Sequence, residues 1–274
     1  MREILGRRRM NRSSPLNAAL HCATRWGWPV LPGATLVPPL SVSSLSGSPS
    51  SGGAQNSKRP LSAVCSCPDA DCAVPGAHPF DPVLLAATTD PRMITWWWTN
   101  RPSAPLILAT GGRAPSALSL PAIAGARALA EFDRRGERLG PVVATPTRCT
   151  LLVEPYDLAE LGERLYAHDW VPSSLRFHGE GGYVALPPSH TGAGRVRWER
   201  GPVAADGSDG AEGTGANRPR RRGLFGRRDE GARGARRGAG LTDGVPFLPR
   251  MESVLDVLVA ASATAPDSGT SLTY

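Results

Sequence analysis

The chain has 274 residues, a formal net charge of +7, 41% hydrophobic residues, 31 glycines and 27 prolines. That length buries a substantial core, and the glycine and proline content predicts a globular body broken by long loops. No apolar run reaches the length of a membrane span; the best, "VLDVLVAA" from Val254, is far too short. Five cysteines, three of them clustered, argue against a disulfide framework and for reduced thiols or a bound metal. The expected location is the cytoplasm.

The charge is uneven. Residues 217–238 hold nine arginines against Asp229 and Glu230, a local +7, and residues 1–12 add +4. The remaining body therefore carries about −4. The basic character belongs to an N-terminal arm (1–13) and an Arg/Gly-rich linker (201–249), with the folded part between them.

In chain order, "SPLNAALHCATR" (14–25) predicts a Ser-capped helix, and "WGWPVLPG" (26–33) a strand that ends in a turn. Residues 41–57 form a Ser/Gly-rich flexible insert. After the cysteine cluster, "DPRMITWWWTNRP" (90–102) is a helix capped by Asp90. Strands follow at "PLILAT" and "SALSL", then a helix from Pro121 closed by Gly140. Two more strands, "PVVAT" and "CTLLVEP", precede a helix at "DLAELGERLYAHD". "SLRFHG", "GYVALPPS" and "VRWERG" complete the strands, and a last helix spans about 250–262. This order predicts an α+β fold, a mixed sheet with helices packed on one face. The final helix (in a C-terminal piece, 250–274) either packs back on the body or offers a surface to a protein partner.

Three stretches bear on chemistry. "CSCPDADCAVPGAHP" sets Cys65, Cys67, Cys72 and His78 within fourteen residues. Thiolates and an imidazole are the ligands that tetrahedral zinc prefers, and four protein ligands would make the site closed and structural. "TWWW" (Trp96 to Trp98) reads as one or two core indoles with a third at the surface, a base-stacking platform being the other use. "GEGGYVALPPSH" pairs a glycine turn with a rigid Pro-Pro and presents Ser189 and His190 as candidates to line a nucleotide pocket. No nucleophile–base pair, Walker-type loop or carboxylate pair can be assembled from spacing. Indeed, no Asp or Glu occurs between Asp90 and Glu131.

Taken together and in this order, "AALHCATRWGWPVLPG", "CSCPDADCAVPGAHP", "TTDPRMITWWWTNRPSAPLILATG", "LGPVVAT" and "GEGGYVALPPSHTGAGRVRW" carry a resemblance. Residues 14–200 resemble the N-terminal domain of bifunctional DNA primase/polymerases (Prim-Pol), of the archaeo-eukaryotic primase superfamily, most like its actinobacterial branch. The resemblance implies copying or priming of DNA with two Mg²⁺ or Mn²⁺ ions. It places a pair of acids on the strand after the Thr-Gly turn, a phosphate-binding His on a following strand, and a third acid before "GGYV…PPS". Those acids hold the cations that activate the attacking hydroxyl and steady the pyrophosphate.

The sequence departs from that pattern at each point. Ser116 and Ser119 stand on the acid-pair strand, Arg148 and Cys149 on the His strand, and Ser174 near the third acid. Serine hydroxyls do not replace charged ligands for hard cations. Glu154, Asp133 and Glu180 lie on other elements or at strand ends. The expectation is a primase/polymerase-like protein without polymerase chemistry. Its candidate nucleotide or nucleic-acid contacts are Arg148, Arg176, Ser189 and His190, together with Arg220, Arg221, Arg222, Arg227 and Arg228 of the linker, which would attract DNA or RNA phosphates. Two alternatives stand beside it: an active enzyme with relocated Mg²⁺ or Mn²⁺ ligands, and a non-enzymatic interaction protein.

Overall fold

The structure, a computed structural model, describes residues 14–37, 64–205 and 244–264. The basic arm, the flexible insert, the Arg/Gly segment with its five candidate arginines, and the tail after 264 lie outside the described residues.

Helix α1 (Pro15–Arg25) starts where the Ser14 hydroxyl accepts the Asn17 N–H at 3.2 Å, with proline in the first turn. It leads to β1 (Val30–Pro32), and then the short strands β2 (Leu36–Val37) and β3 (Val64–Cys65) pair with each other. In α2 (Pro91–Asn100) the Asp90 carboxylate accepts the Arg92 N–H at 2.8 Å. Strands β4 (Leu106–Ala109) and β5 (Ser116–Pro121) run into α3 (Ala122–Arg135), and β6 (Val142–Ala144) and β7 (Arg148–Val153) precede α4 (Leu158–Tyr166). The chain continues through β8 (Arg176–His178), β9 (Tyr183–Leu186), β10 (His190–Thr191), β11 (Gly194–Arg195) and β12 (Arg197–Arg200) to α5 (Met251–Ala263).

The fold is α+β, as the sequence predicts, with every strand pairing antiparallel. Its strands form two main sheets: a five-stranded one in the order β12-β6-β7-β5-β8 and a three-stranded one in the order β1-β4-β9. The helices accordingly divide into two groups, and the expectation of one helical face is corrected. Helices α1 and α2 pack with the three-stranded sheet around Trp28, Trp98 and Ile107, while α3 and α5 cover one face of the five-stranded sheet through Leu118, Phe132 and Leu258.

Two further expectations change. Helix α3 ends at Gly136 instead of Gly140. Gly136 takes φ 67°, and its N–H returns to the Asp133 carbonyl, which closes the helix a turn early. The last helix is an integral part of the core: Met251, Val254, Leu255 and Leu258 are all at most 1% exposed against α3. That packing takes up the apolar face that would have met a protein partner. The tryptophan run behaves as expected, with Trp97 and Trp98 buried and Trp96 exposed. The Trp98 indole N–H donates to the Ala104 carbonyl at 3.0 Å, satisfying its one buried polar group.

Strand alternation decides what each face of the five-stranded sheet presents. On β5, Leu118 and Leu120 join the core under α3, and Ser116 shares their side. The opposite side carries Ala117 and Ser119. On β7, Cys149, Leu151 and Val153 face the helices, whereas Arg148 and Thr150 face away. Helix α3 lies so close that a Cβ on Gly125 would come within 2.2 Å of the Cys149 Cβ. The face away from α3 packs in part on the other core, through Ala117 and Leu152, and is open for a ligand at its Ser119, Arg148 and Thr150 end.

Candidate functional site

A cavity of about 800 Å³ lies on that open face. Its floor consists of Ser119 from β5, Arg148 and Thr150 from β7, and Arg176 and His178 from β8. Residues on one face of a strand are separated by an even number, which is why β8 contributes Arg176 and His178 together. The other wall is apolar, made by Val143, Val184 and Ala185, with Val74 and Pro75 of the cysteine loop closing over it.

Arg148 is fixed in place by neutral groups. Its Nε and Nη2 donate to the Ser119 Oγ at 3.0 and 2.9 Å, and Nη2 also donates to the carbonyls of Ser119 and Ser174 at 2.7 and 2.9 Å. The Ser119 hydroxyl, already accepting from the guanidinium, has its own hydrogen free for His178 Nε2, 3.4 Å away. Neither Arg148 nor Arg176 forms an ion pair among the described residues, and no carboxylate lines the cavity. Burial lowers the Arg148 guanidinium to about 10, with a further push from the charge on Arg176. Burial likewise presses His178 down to about 4, helped by Arg148 and Arg176. At neutral pH the site thus holds two arginine cations and an uncharged imidazole.

The cysteine loop forms a second centre beside the cavity. Cys65, Cys67, Cys72 and His78 place their ligand atoms within 4.8 Å of one another. The Sγ atoms of Cys65 and Cys72 lie 3.3 and 3.4 Å from His78 Nε2. A tetrahedron with Zn–S of about 2.3 Å and Zn–N of about 2.0 Å has S···N edges near 3.5 Å, so the donor set fits zinc. His78 Nδ1 sits 2.9 Å from the Pro79 carbonyl, which fixes the ring so that Nε2 is the nitrogen turned to the cysteine sulfurs and the one that would hold the metal. Backbone bonds tie the loop to the body. The Ala34 N–H donates to the His78 carbonyl at 2.9 Å, and the Gly192 N–H to the Pro75 carbonyl at 2.6 Å. Zinc here would clamp one wall of the cavity, with no open position for catalysis.

The model of the bifunctional DNA primase/polymerase N-terminal family (Prim-Pol) matches residues 19–213. The chain belongs to this family. No curated protein and no solved structure matches it.

Within this Prim-Pol domain the positions expected from sequence sort themselves by face. Ser119 lies in the cavity, but Ser116 does not: it is fully buried on the helix side, its Oγ 3.4 Å from the Tyr156 N–H. Three residues apart on a strand, the two serines point to opposite faces and cannot act as a pair. Arg148 and Cys149 separate in the same way, Arg148 into the cavity and Cys149 into the core, where burial raises its thiol to about 12. Ser174 precedes β8 and offers the site only its carbonyl. Ser189 is 2% exposed and uses its hydroxyl to accept the Leu106 N–H at 2.7 Å, so it is a strut between β4 and the end of β9. His190 is exposed on β10, outside the cavity lining.

The acids weighed as substitutes lie elsewhere. Asp133 pairs with Arg200, Glu154 with Arg250 at 3.9 Å, and Glu180 sits in the turn beside Gly111. The Prim-Pol family's Mg²⁺ or Mn²⁺ pair does not fit this cavity. Hard divalent cations need carboxylate or carbonyl oxygens, and here two guanidiniums occupy that ground. Sequence reasoning passed over His178, Thr145, Thr147 and Tyr183, all of which line the cavity. For His178 the signal was available, because it follows Arg176 by two residues in "RFH".

Proposed function

We propose that this Prim-Pol domain binds nucleotides or nucleic acid without performing nucleotidyl transfer. The observation that carries the reading is the floor of the cavity, where Ser119, Arg148, Arg176 and His178 stand and no carboxylate does. Transfer of a nucleotide to a 3′ hydroxyl relies on cations to lower the charge on the phosphates and to activate the hydroxyl. A site built from arginines attracts the same phosphates but cannot assemble those cations. The Arg/Gly segment and the basic arm add sequence-independent attraction for phosphate backbones, strongest at low salt. No helix among the described residues is long and apolar enough to cross a membrane. We place the protein in the cytoplasm, where the unpaired thiols of Cys22 and Cys149 and a zinc clasp on the other three cysteines would persist.

Primer synthesis and primer extension with purified full-length chain, all four nucleotides and either Mg²⁺ or Mn²⁺ test this reading. The expected result is no product above that of a protein-free control, together with retention of nucleotide or oligonucleotide. Template-directed product that scales with protein concentration overturns it.

A further inference from the structure

We propose that the cavity is a cation-independent site for the phosphate chain of a free nucleotide, with Arg148 and Arg176 taking the place of bridging metal ions. This rests on reading the cavity as a binding site, and it names the ligand class and how the ligand is held.

Four features converge on that ligand. First, the two guanidiniums have no acidic partner among the described residues, whereas Arg101, Arg134, Arg135, Arg164, Arg197, Arg200 and Arg250 each face a carboxylate. A half-buried guanidinium held only by hydroxyl and carbonyl oxygens is an unneutralised charge, and a phosphate supplies what is missing. Second, Arg148 is pre-organised. Ser119 and the Ser174 carbonyl hold Nε and Nη2, and Nη1 takes no protein acceptor among the described residues. Third, Thr147 and Thr150 place hydroxyls around the cationic floor, where phosphate oxygens accept hydrogen bonds, while the hydroxyls of Ser119 and Thr145 are spent on positioning Arg148 and His178. Fourth, the facing wall of Val143, Val184, Ala185, Val74 and Pro75 is apolar and suits a base and sugar, not a second phosphate. The volume of about 800 Å³ falls within the usual range for small-molecule sites, roughly 300–1,000 Å³.

The arrangement also fixes how metal should act. In a carboxylate-lined nucleotide site, Mg²⁺ bridges protein and phosphate and strengthens binding. Between arginines and phosphate it competes, since the cation neutralises the very charge that the guanidiniums recognise. Binding should therefore be tightest without free divalent cation.

Isothermal titration of the zinc-loaded full chain with ATP tests this, in buffer stripped by a chelating resin and again with millimolar Mg²⁺. Inorganic triphosphate and a short oligonucleotide serve as competitors. ATP is expected to bind without Mg²⁺ and more weakly with it, and triphosphate is expected to compete. Arg176 is exposed and makes no side-chain bond among the described residues, so Arg176→Gln leaves the fold intact. It is expected to weaken ATP by about tenfold, the scale of one charge-assisted hydrogen bond. Arg92→Gln, on the exposed side of α2, controls for loss of one positive charge and should leave the affinity unchanged. A requirement for Mg²⁺, or an Arg176→Gln affinity equal to that of the unaltered chain, overturns the inference. So does retention of the oligonucleotide with no uptake of ATP, which leaves the absence of nucleotidyl transfer standing. Primer-extension product alongside Mg²⁺-independent ATP binding would instead overturn the function and spare the site.

Discussion

Leu258→Ala should lower the unfolding free energy by about 2–5 kcal/mol, the range for truncating a fully buried leucine when the surroundings collapse only in part. Leu258 is 0% exposed in the middle of α5, among Val254, Leu255 and Phe132. The helix lies against α3, which in turn lies on β5 and β7, so a hole at Leu258 opens inside a packed core rather than at a frayed end. The C-terminus of α5 is also tied down, since Arg127 donates to the Thr264 carbonyl at 2.7 Å. Urea unfolding followed by tryptophan fluorescence measures the effect. The expected result is one cooperative transition at lower denaturant with an unchanged slope. A change below about 0.5 kcal/mol, the scale of a surface substitution, would mean that α5 contributes little to the core. Because α5 covers the face opposite the cavity, ligand affinity in native conditions should hardly move. For the same reason, deleting residues 217–274 to test the Arg/Gly segment would also remove a core helix and confound stability with binding.

Cys72→Ser should abolish zinc binding and open the wall of the cavity while the two hydrophobic cores stay folded. A structural zinc site draws its free energy from all of its ligands at once, and a serine hydroxyl is a poor exchange for a thiolate. The loop between Cys65 and His78 has little else to hold it: among Ala73, Val74 and Pro75, none is part of a core cluster. Its ties to the body are backbone bonds such as Gly192 N–H to the Pro75 carbonyl. Elemental analysis after gel filtration should find one zinc per unaltered chain and none in the variant. The variant should also show faster thiol modification at Cys65 and Cys67 and weaker ATP binding. In the unaltered chain zinc should be released as pH falls, because protons compete with the metal for thiolate and imidazole. A variant that retains stoichiometric zinc, or an unaltered chain that takes up none when refolded with it, would contradict the assignment.

Much of this was legible in the sequence because local chemistry dictated it. Ser14 and Asp90 announce helix starts, the Cys65–His78 spacing announces a metal loop, and the absence of acids around Ser119 announces a changed site. What could not be read was whatever depends on distant partners. Arg148 and Ser119 are 29 residues apart and meet only because β7 pairs with β5. The Ser189 hydroxyl looks free in "PPSH" yet is claimed by Leu106, 83 residues away. Helix α5 joins the core across an Arg/Gly-rich stretch that gives no hint of a continuing domain. The mispairing of Ser116 with Ser119 has a different origin: a period of two was available and shows that residues three apart diverge. Gly136 and Gly140 were equally good helix stops by composition, and the left-handed turn at Gly136 decided between them.

The central claim is that arginines stand where this domain would otherwise gather divalent cations. Electron paramagnetic resonance of Mn²⁺ titrated into zinc-loaded full-length chain, with nuclear relaxation read at the cavity residues, tests it most directly. The predicted result is an undiminished free-ion signal at millimolar Mn²⁺ and no paramagnetic broadening at Ser119, Arg148, Arg176 or His178. Bound Mn²⁺ that broadens those residues would contradict the account.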